Sequence, residues 1–168
     1  MRLMRSSADH SHVAAYIQLM EECARFLGRE LGSIPERHLK DRLVESDAEL
    51  ISRGLESGLL AIDGNYLRTA DPHQATAWLV EGNPAHLCWE YVPHAAAYVE
   101  LLEVLGYAAG SVRFETPDAE MNLDLAVVAD DGAVVVLGEV KSEAGQVNLG
   151  IAVGDIVVVP VGIEEEIG

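Results

Sequence analysis

The chain has 168 residues, enough for one medium domain or two small ones, and its 49% hydrophobic content and mean hydropathy of +0.15 allow a buried core, which excludes a disordered chain. No apolar run approaches the length of a membrane span, and Met1 to Ser7 lacks the apolar stretch of a signal peptide, so a cytoplasmic protein without membrane contact is expected. The formal net charge of −17 is uneven: residues 1 to 80 carry 9 Lys/Arg against 12 Asp/Glu, whereas residues 81 to 168 carry 2, Arg113 and Lys141, against 16, so the second half lacks the basic surface of an ordinary nucleic-acid binder.

Along the chain, SHVAAYIQLMEECARFLGRE spaces Val13, Ile17, Met20, Ala24 and Leu27 at helical intervals and ends near a glycine, which predicts one amphipathic helix. Ser33-Ile-Pro-Glu36 and Ser46-Asp-Ala-Glu49 both have the S-x-x-E form of a capping box, and they predict two shorter helices over PERHLKDRLV and DAELISRGLES. After Gly58, LLAIDGNYLRTA reads as two strands around Asp63-Gly64-Asn65. Residues 71 to 84 hold two prolines and several turn formers, so a domain junction is expected there. In HLCWEYVPHAAAYVELLEVLGY, Pro93 suits the first turn of a helix, Tyr98, Leu101, Leu102 and Leu105 supply its apolar stripe, and Gly106 suits its end. Strands are expected around SVRFET and DIVVVPVG.

Between those strands lies DLAVVADDGAVVVLGEVK, residues 124 to 141, where Asp131-Gly132 between two apolar runs predicts a hairpin with a two-residue type I′ turn. That register sets Asp124 opposite Glu139, with Lys141 on the same face two residues on. Directly opposed carboxylates destabilise a sheet, on a face otherwise made of Ala126, Val128, Val135 and Leu137. A divalent cation between them, with the lysine beside it, would turn that cost into a site; a frayed end reaching water is the alternative. Both faces of the hairpin are apolar, which implies helices covering at least part of each side.

Other chemistries lack their signatures. Cys23 and Cys88 form neither a CxxC motif nor a disulfide framework and read as buried free thiols. His10 and His12 face different sides of a helix, and His38, His73, His86 and His94 are scattered, with no HExxH or tight His/Cys cluster. There is no GxSxG, P-loop or GxGxxG.

Two resemblances follow. Three helices and a hairpin over Ser11 to Ala70, with ELISRGLESGLLAIDGNYLRTA at the third helix and wing, resemble a winged helix. Its third helix offers Arg53 among Asp47, Glu49 and Glu56, unlike a DNA-reading helix. From about His86 to Gly162, Asp124 and Glu139-Val140-Lys141 resemble the PD-(D/E)xK nuclease superfamily, the fold of many restriction endonucleases. The resemblance implies an α+β or α/β protein, with a winged helix over 1–72, a junction over 73–84 and a small restriction-endonuclease-like α/β/α domain over 85–168. It implies Mg2+ (or Mn2+) bound by Asp124, Glu139 and the Val140 carbonyl, with Lys141 positioning or activating the attacking water. The acid that family members often carry on the preceding helix falls to Glu90 or Glu100, with Glu90 favoured. The implied activity is hydrolysis of phosphodiester bonds in DNA, in a restriction or DNA-processing role, by a chain that could act as a homodimer. The reading from the other direction is a non-catalytic regulatory protein that binds a protein partner through its acidic second half.

Overall fold

The structure is a computed structural model that describes residues 11–70, 76–114, 125–139, 148–153 and 155–157. It is a mixed α+β protein. Its first helix, α1 (His12–Phe26), buries Tyr16, Met20, Cys23 and Ala24, one stripe of the predicted amphipathic segment. Two further helices follow, α2 (Glu36–Asp41) and α3 (Glu45–Ser57).

Neither predicted capping box caps a helix. The residues before α2 and α3 are Pro35 and Val44, which supply no side-chain cap, so Ser33 and Ser46 fall on either side of the positions where a hydroxyl would serve. The acid that does cap is Glu45, and it caps a different helix. Its carboxylate accepts hydrogen bonds from Ser11 Oγ (2.6 Å), the His12 N–H (2.6 Å) and the Val13 N–H (3.4 Å), which satisfies donors left open at the start of α1. These bonds hold the Glu45 carboxyl below its ordinary pKa.

The next segment forms a three-stranded antiparallel sheet in the order β1-β2-β3, from β1 (Leu60–Asp63), β2 (Tyr66–Thr69) and β3 (Thr76–Trp78). Asp63 pairs with Tyr66, so Gly64 and Asn65 make the turn between the first two strands, as the sequence predicts. A small ribbon of β4 (Val80–Glu81) and β5 (His86–Leu87) leads into α4 (Tyr91–Glu103). Pro93 sits in the first turn of α4, where its missing N–H breaks no helical bond. The helix closes at Gly106, with the Tyr107 N–H donating back to the Leu101 carbonyl.

The second sheet is an antiparallel meander in the order β10-β9-β8-β7-β6, built from β6 (Val112–Phe114), β7 (Leu125–Val128), β8 (Val134–Glu139), β9 (Asn148–Val153) and β10 (Asp155–Val157). Here the fold departs from the α/β/α expectation. The chain returns from β8 to β9 as its direct antiparallel neighbour through residues 140–147, a connection too short for the helical crossover that a parallel strand would need. Among the described residues α4 is the helix that covers this sheet, packing Tyr98 and His94 edge-on against Phe114.

One hydrophobic core runs through both halves of the chain, from Tyr16 and Met20 of α1 through Ile51 of α3 and Val99 of α4 to Val127 and Val136 of the meander. The expected junction, 73–84, includes all of β3 and β4, and its Leu79 and Val80, with Ala85 just after it, belong to that core. Backbone bonds also cross between the halves: the Gly32 N–H donates to the Ala85 carbonyl (2.8 Å) and the Ala85 N–H to the Glu30 carbonyl (3.0 Å). At the α3–α4 contact a Cβ on Gly54 would stand 2.5 Å from Val99 Cγ2 and 2.9 Å from Leu60 Cδ1, so a hydrogen is all that fits there.

Candidate active site

The hairpin that should carry the site forms, with a different turn. The Gly132 N–H donates to the Ala129 carbonyl and the Ala129 N–H to the Ala133 carbonyl, which makes a three-residue loop of Asp130, Asp131 and Gly132. Gly132 has φ +85°, the left-handed conformation that closes such a loop, and the Asp131 carboxylate accepts from the Ala133 N–H (2.9 Å). A two-residue turn is therefore the wrong assignment. Its predicted register nevertheless holds further along, because an irregularity between Val127 and Val128 moves the pairing by one: Val128 faces Val134, but Val127 faces Val136, Ala126 faces Leu137 and Leu125 faces Gly138.

The predicted ligands lie at the far end of this hairpin. Glu139 is the last residue of β8, and its backbone pairs with Asn148 of β9. Asp124, Val140 and Lys141 lie outside the described residues, as does the side chain of Glu139. Among the described residues no group of three or more His, Cys, Asp or Glu side chains could hold a metal ion.

Glu90 immediately precedes α4 and is exposed. Its helix is buried almost all round, from Val92 to Val99, because one side meets α3 and another meets the meander. The contact with the meander fixes which end of the sheet α4 begins at. His94, one turn inside the helix, meets Phe114 with ring centroids 6.2 Å apart and Tyr91 at 5.8 Å; Phe114 pairs with Leu125, and Leu125 with Gly138. The start of α4 is thus brought to the end of the sheet where β6 and β8 finish and β7 begins.

Glu100, the other candidate acid, faces α3. It is exposed on α4 and close enough to Asp47 to raise that carboxyl's pKa; Asp47 is pushed up to about 6 by its own burial first and by the Glu100 charge second. On the same interface Arg53 of α3 forms an ion pair with Glu103 (2.5 Å). The sole basic side chain of the proposed reading helix is thus turned toward α4.

Beside Glu90 is a feature that sequence reasoning passed over, a cleft of about 480 Å³ lined by residues that include Arg42, Glu81, His86, Trp89, Glu90 and Tyr91. His86 Nε2 lies 3.3 Å from Glu81 Oε1, and His38 meets Trp89 edge-on at 4.9 Å. Cys88 also lines the cleft, with its thiol pushed up to about 12 by burial and by the charges of Glu81 and Glu90, so it is a neutral wall rather than a nucleophile. The signal in the sequence was the dense run HLCWEY directly before the helix. Reading histidines and cysteines one at a time, as isolated ligands, missed it.

Comparison with protein-family models, with curated proteins and with solved structures finds no match for this chain.

Proposed function

We propose that the protein is a metal-dependent nuclease that hydrolyses phosphodiester bonds in DNA, in a restriction or DNA-processing role, with a winged-helix-like first half and a PD-(D/E)xK-like second half. The observation that carries this reading is the β7–β8 register. Leu125 faces Gly138, so one more pair in the same register would oppose Asp124 and Glu139, and the helix start bearing Glu90 lies at that same end of the sheet. The order of three helices followed by the β1–β2 hairpin supports the first half.

The donor set suits a hard cation. Two carboxylates and the Val140 carbonyl are oxygen ligands of the kind Mg2+ and Mn2+ take, and they lack the nitrogen and sulfur donors that favour zinc. Bound there, the ion would supply positive charge against the charge that builds on the phosphorus. Lys141 would hold the attacking water, whose oxygen bonds to phosphorus and gives up a proton to solvent as the ester P–O bond breaks and the departing oxygen takes a proton from solvent. Glu90 would stand at the edge of that arrangement.

One observation favours the other reading, a non-catalytic protein that binds a protein partner through its acidic half. Arg53 is paired with Glu103, and Arg113, one of the two basic residues of the second half, donates to the Gly110 carbonyl (2.5 Å). Calorimetric titration of Mg2+ and Mn2+ into the wild type and into the double variant Asp124→Asn, Glu139→Gln separates the two. The nuclease reading expects binding that the double variant loses, and metal-dependent DNA cleavage that Lys141→Ala abolishes while its melting temperature holds. A wild type that takes up neither ion would end that reading and leave the interaction protein.

A further inference from the structure

The cleft between the end of α2 and the start of α4 shares no residue with the carboxylate hairpin, and Glu90 is its one link to the proposed metal site. Its volume of about 480 Å³ is that of a pocket for a small organic ligand. Trp89 and Tyr91 line it as half-buried aromatic side chains, and Leu87 adds an apolar surface. Arg42 brings a guanidinium that makes no ion pair among the described residues. Two carboxylates, Glu81 and Glu90, face the same space.

These groups select a ligand by elimination. A small, multiply charged anion would meet one arginine and two carboxylates, a net repulsion. A purely apolar ligand would leave the Arg42 guanidinium and the Glu90 carboxylate unmatched, Glu81 already meeting His86. A planar group that stacks on the aromatic walls, donates N–H bonds to a carboxylate and carries a single phosphate charge toward Arg42 satisfies all three requirements. A nucleobase with its own phosphate has that composition, and its π-face is free to stack only when it is not already sandwiched in a duplex. The aromatic contacts continue inward from the cleft, from Tyr91 to His94 to Phe114, toward the sheet end that carries Glu139.

We propose that this cleft binds one unpaired nucleotide of a nucleic-acid strand, with Trp89 and Tyr91 stacking on the base and Arg42 on its phosphate. The proposal rests on the nuclease reading for its choice of ligand and deepens it: the substrate is a strand with an unpaired nucleotide beside the scissile bond, rather than continuous duplex. The test keeps the two ideas apart by measuring binding in EDTA, where no metal-dependent cleavage occurs. Fluorescence anisotropy would follow a labelled single-stranded oligodeoxynucleotide and a blunt duplex of the same sequence, with wild type, Trp89→Leu and Arg42→Gln.

The expected result is tighter binding of the single strand, weakened on the order of tenfold by Trp89→Leu. Arg42→Gln should weaken it as well and flatten its dependence on salt. Because Trp89 touches His38 and its replacement could disturb the fold, Arg42→Gln, at the rim, carries the test on its own if Trp89→Leu melts early. Equal binding of single strand and duplex, unchanged by either substitution, overturns the cleft proposal even if the protein cleaves DNA with Mg2+. Binding of the single strand that both substitutions weaken, in a protein that shows no cleavage and no metal uptake, supports the cleft while the nuclease reading fails.

Discussion

Replacing Gly54 by alanine sets two effects of known sign against each other. Alanine is the better helix former, and in the middle of α3 the exchange should gain about 1 kcal/mol from backbone propensity. The added methyl, however, would sit 2.5 Å from Val99 Cγ2, 2.9 Å from Leu60 Cδ1 and 3.0 Å from Leu60 Cγ. Val99 is fully buried and β-branched, so it cannot swing aside, and Leu60 is 1% exposed. Overpacking of this kind costs roughly 1–3 kcal/mol, and a triple contact against two immobile side chains belongs at the upper end, leaving a net loss of about 1–2 kcal/mol. At roughly 2–4 °C per kcal/mol for a chain of this size, the melting temperature should fall by about 2–8 °C. Gly110→Ala is the control, since a Cβ there meets nothing within 4 Å and its stability should move by no more than about 1 kcal/mol. Thermal melts followed by circular dichroism, with urea titrations to obtain the free energies, would measure both. A Gly54→Ala protein that melts above wild type would refute the close approach of α3 to α4 on which this reasoning stands.

Three more outcomes are expected. Asp47 has a folded pKa of about 6, above the usual carboxyl value, so its contribution to stability is fully present below pH 4 and is lost as pH rises through 6; Asp47→Asn should therefore raise the melting temperature at pH 8 and leave it nearly unchanged at pH 4, and a constant difference across that range would contradict the assignment. Glu45 has the opposite shift: its cap stabilises above the unfolded pKa and fades as pH falls through the lowered folded value, so Glu45→Gln should lower the melting temperature at pH 7 and converge with wild type in strong acid, a convergence that paired melts would either find or miss. Arg53→Gln removes an ion pair with Glu103 rather than a DNA contact, so the slope of log affinity against log salt should stay that of wild type, whereas a slope smaller by about one would show Arg53 on a phosphate.

Periodicity located what depends on local pattern. The stripe of α1, the hairpin around Gly64 and Asn65, the helix between Pro93 and Gly106 and the strand pair flanking Gly132 are each fixed by residues within a few positions of one another, and each is legible in the sequence. The caps were not, because Glu45 serves a helix 33 residues away in the chain, and no local motif announces such a partner. The segment NLGIAV, which no local motif marks, is β9; its conformation is set by pairing with β8. At the candidate site the register was legible, although through a two-residue turn that does not occur: the longer loop and the irregularity at Val127 offset each other. The side chains of Asp124, Glu139 and Lys141 lie outside what the structure describes, so the chemistry there rests on residue type and register. The cleft as a whole was not legible for a different reason: the run HLCWEY marks one wall, but Arg42 reaches His86–Tyr91 only through tertiary packing.

The position of α3 has a consequence for how this protein comes apart. It touches α1 on one side and α4 on another, and its first residue holds the start of α1 while its later residues meet Val99 and Glu103. Cutting the chain between its two halves would not separate them, because the fragments would still share that core. Loss of α3's fit against either neighbour would instead loosen both at once. Native-state hydrogen exchange should then show amides of α1, α3 and α4 opening together as a single unit, rather than a helical half and a sheet half opening in turn.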